Sequence, residues 1–241
     1  MIAIFTDFGI HGPYVGQLHA ALHRDAPGVA VVDLFNDLPA FNVKAAAYLL
    51  PAYSQYLPDD CVCLCVVDPG VGTERRALAL KADSRWYVGP DNSLFSVLAR
   101  RAGAVQVYEV TWRPQYLSES FHGRDLFAPV AAMIARGDAV PGEPVPAQAL
   151  VATDWPDELA EVVYIDSYGN AVTGLRAQKL TRDATLGVAG RRLRFRRVFG
   201  EAAAGEPFWY ENANGLVEIA VANGSAAAQL GLHIGAHLRR G

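Results

Sequence analysis

Cys61–Val67 is an unbroken apolar run that stops at a carboxylate, Asp68. A membrane helix needs about 18 apolar residues, so this run is far too short to span a bilayer. It reads instead as a strand covered on both faces. The neighbouring segments supply both further strands and helices to cover them. Met1–Phe5 and Val29–Phe35 have strand composition. Pro13–Arg24 carries Val15, Leu18, Ala21 and Leu22 at helical spacing and stops before Pro27-Gly28. Asn42–Leu57 is helical with Asn42 as N-cap. Ala77–Lys81 and Trp86–Val88 form a hairpin around Asp83-Ser84, Asn92–Arg101 is helical, Val105–Val110 is extended, and Leu126–Arg136 is helical again. This order predicts an α/β domain with a mostly parallel sheet over residues 1–140.

Pro141-Gly-Glu-Pro-Val-Pro146 cannot continue a helix, and 141–150 is expected to be a linker. From 151 to 241 the pattern changes to short runs of strand composition: Glu161–Ile165, Ala171–Gly174, Thr185–Val188, Arg191–Val198, Phe208–Glu211 and Leu216–Val221. Turn signals at Tyr168-Gly169-Asn170, Ala189-Gly190 and Asn212-Ala-Asn-Gly215 separate them. This predicts a small antiparallel all-β C-terminal domain, sandwich or barrel. Arg191, Arg192, Arg194, Arg196 and Arg197 cluster within one strand and read as a solvated face.

Partners are bounded by charge. A net charge of -4 and an isoelectric point near 5.8 argue against nucleic acid or an anionic membrane. No N-terminal stretch joins basic residues, an apolar core and a cleavage site, so a cytoplasmic location is expected. Cys61, Cys63 and Cys65 lie on one strand face, an unsuitable geometry for pairing with each other. With no second set of ligands they read as small buried hydrophobes, and no metal is expected. His19 and His23 sit at i,i+4 but lack the glutamate of a zinc-protease helix.

Three stretches carry the chemistry. Asp7, in Thr6-Asp7-Phe8-Gly9, ends the first strand; it fits either a turn residue or a two-oxygen acceptor for a vicinal diol. Gly9, Gly12 and Gly16 lack the G-x-G-x-x-G spacing of a dinucleotide site. Asp68-Pro-Gly-Val-Gly-Thr-Glu-Arg75 places a carboxylate where open α/β sheets bind ligands, followed by a turn that lets backbone approach a ligand. Phe121-His122-Gly-Arg-Asp125 supplies a histidine in a setting unlike that of the other five. In the C-terminal half, Ile165-Asp166-Ser-Tyr168-Gly-Asn170-Ala-Val-Thr173 reads by itself as a hairpin turn.

Together these stretches resemble the S-adenosylmethionine hydroxide adenosyltransferase family, relatives of the fluorinases and chlorinases, from Ile4 to about Leu232. The resemblance implies that Asp68, Arg75 and His122 surround an attacking water, and that Asp7 holds the ribose diol. His122 is assigned as the general base or the group that orients the water, Asp68 as the holder of the imidazole tautomer or the acceptor of the water's second proton, and Arg75 as the group that fixes Asp68. It further implies that Asp166 meets the methionine ammonium, Asn170 the adenine edge, and that Tyr168, replacing the usual Phe, packs on the nucleoside. Phe41 lies where related halogenases place an aromatic residue against the ligand. Asn212–Gly215 and Val221–Gly224 match a stretch of backbone and amino-acid contacts, with Ala213 where a serine is usual and Val221 and Asn223 acting through backbone groups. Halogenating relatives carry a tyrosine in place of Asp68. A carboxylate repels halide and accepts a hydrogen bond from water, so Asp68 points to water as nucleophile.

The implied reaction is hydrolysis of S-adenosyl-L-methionine to adenosine and L-methionine, with no cofactor. The expected assembly is a homotrimer with active sites between subunits, the ligand being a small molecule. Two alternatives stand beside it: another nucleoside-cleaving hydrolase or phosphorylase, and a non-catalytic adenosine or S-adenosylmethionine sensor.

Overall fold

The computed structural model describes residues 1–151 and 153–240 and divides after Thr153 into two compact domains. The N-terminal domain runs β1 (Ile2–Thr6), α1 (Tyr14–Asp25), β2 (Val31–Phe35), α2 (Val43–Ser54), β3 (Val62–Val66), β4 (Ala77–Ala82), β5 (Arg85–Pro90), α3 (Ser96–Arg101), β6 (Val105–Val110), α4 (Ala128–Ala135) and β7 (Gly142–Val145). Among the described residues its sheet has seven strands in the order β2-β1-β3-β5-β4-β6-β7. Every residue of β1 and β3 is buried. That burial explains their lack of polar alternation. α1 and α4 cover the face of Ile2, Ile4, Val62 and Leu64. The opposite face meets α2, where Phe35 packs between Phe5 and Tyr53 and Tyr87 shares a hydrogen bond with Ser54 at 3.0 Å.

The expectation of a mostly parallel sheet is corrected. β2-β1, β1-β3 and β3-β5 are parallel, whereas β5-β4, β4-β6 and β6-β7 are antiparallel, together pair more residues and include the longest ladder, β4-β5. The cause is the β4–β5 hairpin. β4 slots between β5 and β6, and both of its contacts become antiparallel. Residues 141–150, expected as a linker, hold the edge strand β7, whose Gly142–Val145 pair with Val110–Val107 of β6. Pro144 is tolerated within it, and Pro141 and Pro146 beside it, because an edge strand leaves one side unpaired. Asp91 then ties the following segment down, accepting from Val151 N–H at 3.0 Å and from Arg76 at 2.9 Å.

Asn42 is the expected N-cap of α2, its side chain accepting from Ala45 N–H at 2.9 Å. The expected helix from Asn92 begins only at Ser96, because the Asn92 amide is held by Val67 carbonyl at 2.9 Å. α4 is preceded by one π-helical turn, Gly123–Phe127. Such turns occur frequently at functional sites.

The C-terminal domain contains β8 (Leu159–Ile165), β9 (Ala171–Arg176), β10 (Leu186–Val188), β11 (Arg191–Phe195), β12 (Pro207–Glu211), β13 (Leu216–Val221), α5 (Ala226–Leu230) and β14 (Arg239–Arg240). The described strands form one sheet in the order β14-β10-β11-β12-β13-β9-β8. The expectation of a purely antiparallel all-β domain is corrected too, since β11 and β12 pair in parallel and α5 interrupts the strands. The chain bridging Phe195 to Pro207 crosses over instead of turning back, and this crossover sets the parallel pair. Residues 235–238 bond to β8 through Val162 N–H to Ala236 carbonyl, 2.9 Å, and Leu238 N–H to Ala160 carbonyl, 2.8 Å. The sheet's two ends thereby meet and the domain is nearly a barrel around Trp209, Ile219 and Leu193. No helix among the described residues is long and apolar enough to cross a membrane.

Candidate active site

Four connecting segments, after β1, β2, β3 and β6, bring together the residues of the N-terminal domain singled out from sequence. Asp7 follows β1, and its Oδ2 accepts from Phe41 N–H at 2.8 Å. Phe41 has φ 60°, a left-handed conformation rare for a bulky residue and strained by about 1–3 kcal/mol. That conformation aims its amide at Asp7 and leaves the ring 76% exposed. Burial raises the Asp7 pKa, the Phe41 and Asp7 backbone amides oppose the rise, and the charge of Asp68 adds to it.

Asp68 follows β3 by two residues. Arg75 Nε donates to both Asp68 oxygens at 2.9 Å, and Arg75 Nη2 also donates to Oδ2. The same Nη2 donates to His122 Nδ1 at 2.9 Å. Both side chains of the ion pair are nearly buried, and the guanidinium lies 5.1 Å from the Phe127 ring centroid. Arginine has no acceptor atom. His122 Nδ1 must therefore supply a lone pair, and the neutral imidazole carries its proton on Nε2. Burial, then the charge of Arg75, lowers the His122 pKa below the usual 6.5, which keeps the ring neutral. Arginine, not aspartate, thus fixes the tautomer. A ring held this way offers an N–H donor at Nε2 and is poorly placed to accept a proton there.

The Asp68–Arg75 loop and the segment leading to His122 are in direct contact. Gly72 has φ +80°, and a Cβ on it would stand 2.6 Å from Glu119 carbonyl oxygen. Only glycine allows this approach. Asp125 secures the other side of the segment by accepting from Ser118 N–H at 3.0 Å and from the neighbouring Arg124 at 2.6 Å and 2.9 Å. Asp7, Phe41, Asp68 and His122 all line one cavity of about 350 Å³, walled by Phe8, Tyr14 and Phe121. Those three rings contact one another, with centroids 5.4–6.0 Å apart.

A second cavity, about 560 Å³, lies on the C-terminal domain and is lined by Asp166, Tyr168, Asn170, Phe199, Tyr210, Val221, Asn223 and Gly224. Asp166 closes its own turn: Oδ1 accepts from Tyr168 N–H at 2.9 Å and Asn170 N–H at 2.8 Å, and Oδ2 from Asn170 Nδ2 at 3.0 Å. Asn170 is buried while Tyr168 stands 78% exposed. Gly169, φ +82°, presses on Ser225, where a Cβ would come within 2.0 Å of Oγ. Ser225 in turn caps α5 through Ala228 N–H at 3.1 Å. Asn223 adopts φ 58°, which asparagine tolerates. Ala213 is exposed on the β12–β13 turn and is not part of this cavity wall.

Comparison with known proteins gives the setting for this geometry. The family model described as SAM hydroxide adenosyltransferase N-terminal domain matches residues 2–142, and its C-terminal counterpart matches 160–239. The chain belongs to the SAM hydroxide adenosyltransferase family. A Thermus thermophilus relative, named (R)-S-adenosyl-L-methionine hydrolase, is 41% identical over 99% of this chain and 98% of its own length. A Salinispora arenicola protein of the same name is 38% identical over 99% and 96%. A fluorinase of Actinoplanes sp. is more distant, 23% identical over 57% of this chain and 55% of its own. Among solved structures, a conserved protein of Thermotoga maritima superposes with a TM-score of 0.89 at 29% identity, covering 100% of this chain and 99% of that one.

Several lining residues of this family member escaped sequence reading. Phe8, Tyr14 and Phe121 adjoin or lie near the motif residues and had a signal in that adjacency. Phe199 and Tyr210 had none, because the crossover after β11 brings Phe199 beside Tyr210, centroids 5.2 Å apart, only in the folded domain. Arg113 is a further cation whose charge lowers the His122 pKa, and its guanidinium donates to Val110 and Trp112 carbonyls at 2.7 and 2.8 Å. Among the described residues no cluster of His, Cys, Asp and Glu has metal-ligating geometry.

Proposed function

We propose that this chain hydrolyses S-adenosyl-L-methionine to adenosine and L-methionine by attack of water on C5′. The observation that carries the reading is the Asp68–Arg75–His122 set on the wall of a cavity that also holds Asp7, in a chain whose full-length relatives are named for this reaction. Those names specify the R sulfonium epimer, and the substrate is proposed to include it. The sulfonium leaves as a neutral thioether, so the barrier lies in the nucleophile; bulk water has a pKa of about 15.7. In the proposed arrangement water donates to the Asp68 carboxylate and accepts from His122 Nε2–H. Its remaining lone pair then faces C5′. Asp68 takes the proton as the C–O bond forms and the C–S bond breaks. Arg75 holds both partners and faces away from sulfur. Asp7 receives the ribose hydroxyls. No cofactor or metal enters the proposed reaction.

On the C-terminal domain, Asn170 and Tyr168 are proposed to receive the adenosine moiety, with Asp166 shaping their turn and attracting the methionine ammonium. Val221 and Asn223 would contribute backbone contacts. Phe41 on one domain and Tyr168 on the other leave large rings in solvent, a property of contact surfaces. The proposed assembly is a cytoplasmic homotrimer in which one subunit's N-terminal cavity is completed by a neighbour's C-terminal cavity. Two measurements test the reading. Turnover in oxygen-18 water is expected to label the 5′ oxygen of adenosine, with the R and S epimers compared; unlabelled adenosine, or released adenine, overturns it. Asp7→Ala and Asn170→Ala proteins, each inactive alone, are expected to regain activity when mixed and reassembled. No recovery after proven subunit exchange would place each site within one chain.

A further inference from the structure

Glu218 is a buried carboxyl in the middle of β13, a central strand of the C-terminal sheet. Apolar residues surround it in sequence, Leu216, Val217, Ile219 and Ala220. A carboxyl among them is costly unless its oxygens are satisfied. Both are. Tyr210, its registered partner on β12, donates its hydroxyl to Oε1, and Asn212 Nδ2 donates to Oε2 at 2.9 Å. Burial raises its pKa, with a further contribution from the charge of Asp166, while the bonds from Tyr210 and Asn212 pull it down.

Each of these bonds leads outward. Tyr210 lines the C-terminal cavity, and its ring touches Phe199, which lines it too. Asn212 Oδ1 accepts from Asn214 N–H and Leu216 N–H, both at 3.0 Å, so the amide has its oxygen in the turn and its nitrogen on Glu218. A carboxylate acceptor beneath Asn212 allows only this orientation of the amide.

We propose that Glu218 is a positioning residue for ligand binding: by tethering the Tyr210 hydroxyl and the Asn212 amide it fixes the aromatic wall formed by Tyr210 and Phe199 and the turn beside it. The proposal rests on the reading of this cavity as the adenosine-receiving half-site. Chemistry occurs elsewhere, so the effect belongs to KM. Loss of a hydrogen bond to a buried carboxyl corresponds to roughly a tenfold change.

The experiment is steady-state kinetics on the assembled protein with S-adenosyl-L-methionine, together with thermal melts. Tyr210→Phe and Glu218→Ala are each expected to raise KM about tenfold with kcat within about twofold of wild type. Glu218→Gln is expected to restore most of the affinity, because its amide oxygen can accept from Asn212 while its nitrogen donates to the Tyr210 oxygen. The double variant Tyr210→Phe/Glu218→Ala is expected to be no weaker than Glu218→Ala, as for groups in one chain of contacts. Should Glu218→Ala fail to fold, Tyr210→Phe against Tyr210→Phe/Glu218→Gln carries the comparison. Unchanged KM in Tyr210→Phe, additive losses in the double variant, or a fall in kcat alone overturns the proposal. Asn170→Ala separates the two levels. If its affinity for adenosine, read by calorimetry, is unchanged, the cavity reading fails; if that affinity falls while the Glu218 and Tyr210 variants keep the wild-type KM, only the role of Glu218 fails.

Discussion

The two cavities use their carboxylates in opposite ways. On the N-terminal domain Asp68 is bound by an arginine from its own loop, and that arginine also reaches a histidine carried by a distant segment. On the C-terminal domain Asp166 is bound by backbone and side-chain amides of its own turn, within four residues. The first is a cross-loop network that sets tautomer and charge. The second is a local clamp that sets shape. A network of this kind belongs with bond making, and a clamp with recognition, so variants on the two sides should separate in kcat and KM.

The largest expected effect tests the first half of that contrast. Asp68→Asn should lower kcat by about a hundred- to ten-thousandfold, the usual contribution of a general base, while adenosine binding measured by calorimetry persists. His122→Ala should also lose turnover, but less, because the ring is held as a donor that orients water. His122→Gln, which can still present an N–H, should recover part of the loss. A His122→Ala defect deeper than that of Asp68→Asn would return the general-base role to the histidine and remove the tautomer argument. Arg75→Lys should not rescue Arg75→Ala, since an ammonium cannot reproduce the fork that spans Asp68 and His122.

Next in size is the joint between the Asp68–Arg75 loop and the segment leading to His122. Gly72→Ala puts a Cβ against Glu119 carbonyl and a side chain in a left-handed conformation. We expect about 1–3 kcal/mol of destabilisation, read from denaturant melts. Displacement of Asp68 and Arg75 from His122 should also lower kcat by roughly a hundredfold, since small misplacements cost that much. The corresponding change at the recognition clamp, Gly169→Ala, would collide with Ser225 and should raise KM instead. Equal effects of the two substitutions on kcat would erase the proposed division of labour.

How much of this was legible beforehand follows the range of the interactions. Asp7, Asp68 and the Cys61–Val67 strand announce themselves locally, because a sheet-covered strand must be apolar and its carboxyl end must turn. The Asp166–Asn170 turn is equally local. The direction of β4 was not, because a hairpin signal says nothing about which neighbour the returning strand will choose. β7 was hidden by Pro144 and the flanking Pro141 and Pro146, which read as a break and are in fact compatible with an edge. The contact of Arg75 with His122 likewise depends on Gly72 meeting Glu119, a pairing that no spacing in the chain encodes. Glu218 is the one charged residue in the Leu216–Val221 run, and only its burial in the folded domain distinguishes it.

The smallest predicted effect is in pH dependence, and it discriminates between two roles for His122. The ring's pKa is lowered by burial and by Arg75, so below its usual 6.5 the unfolded chain binds a proton that the folded site resists. His122 therefore contributes no pH dependence to stability at neutral pH, and stability falls as pH drops from about 6.5 toward the lowered value. Activity should follow the folded-state value. Protonation at Nδ1 ejects the Arg75 donor, so kcat/KM should be flat through neutrality and decline only on the acid side, with a midpoint below 6.5. Asp7, whose pKa is raised by burial, should steepen that decline as the carboxylate proposed to receive the ribose is neutralised. An acid limb centred at or above 6.5 would mean that the folded ring titrates as a free imidazole. The contact between Arg75 and His122 would then have to open in the working enzyme, and with it the contrast between a preset network and a local clamp.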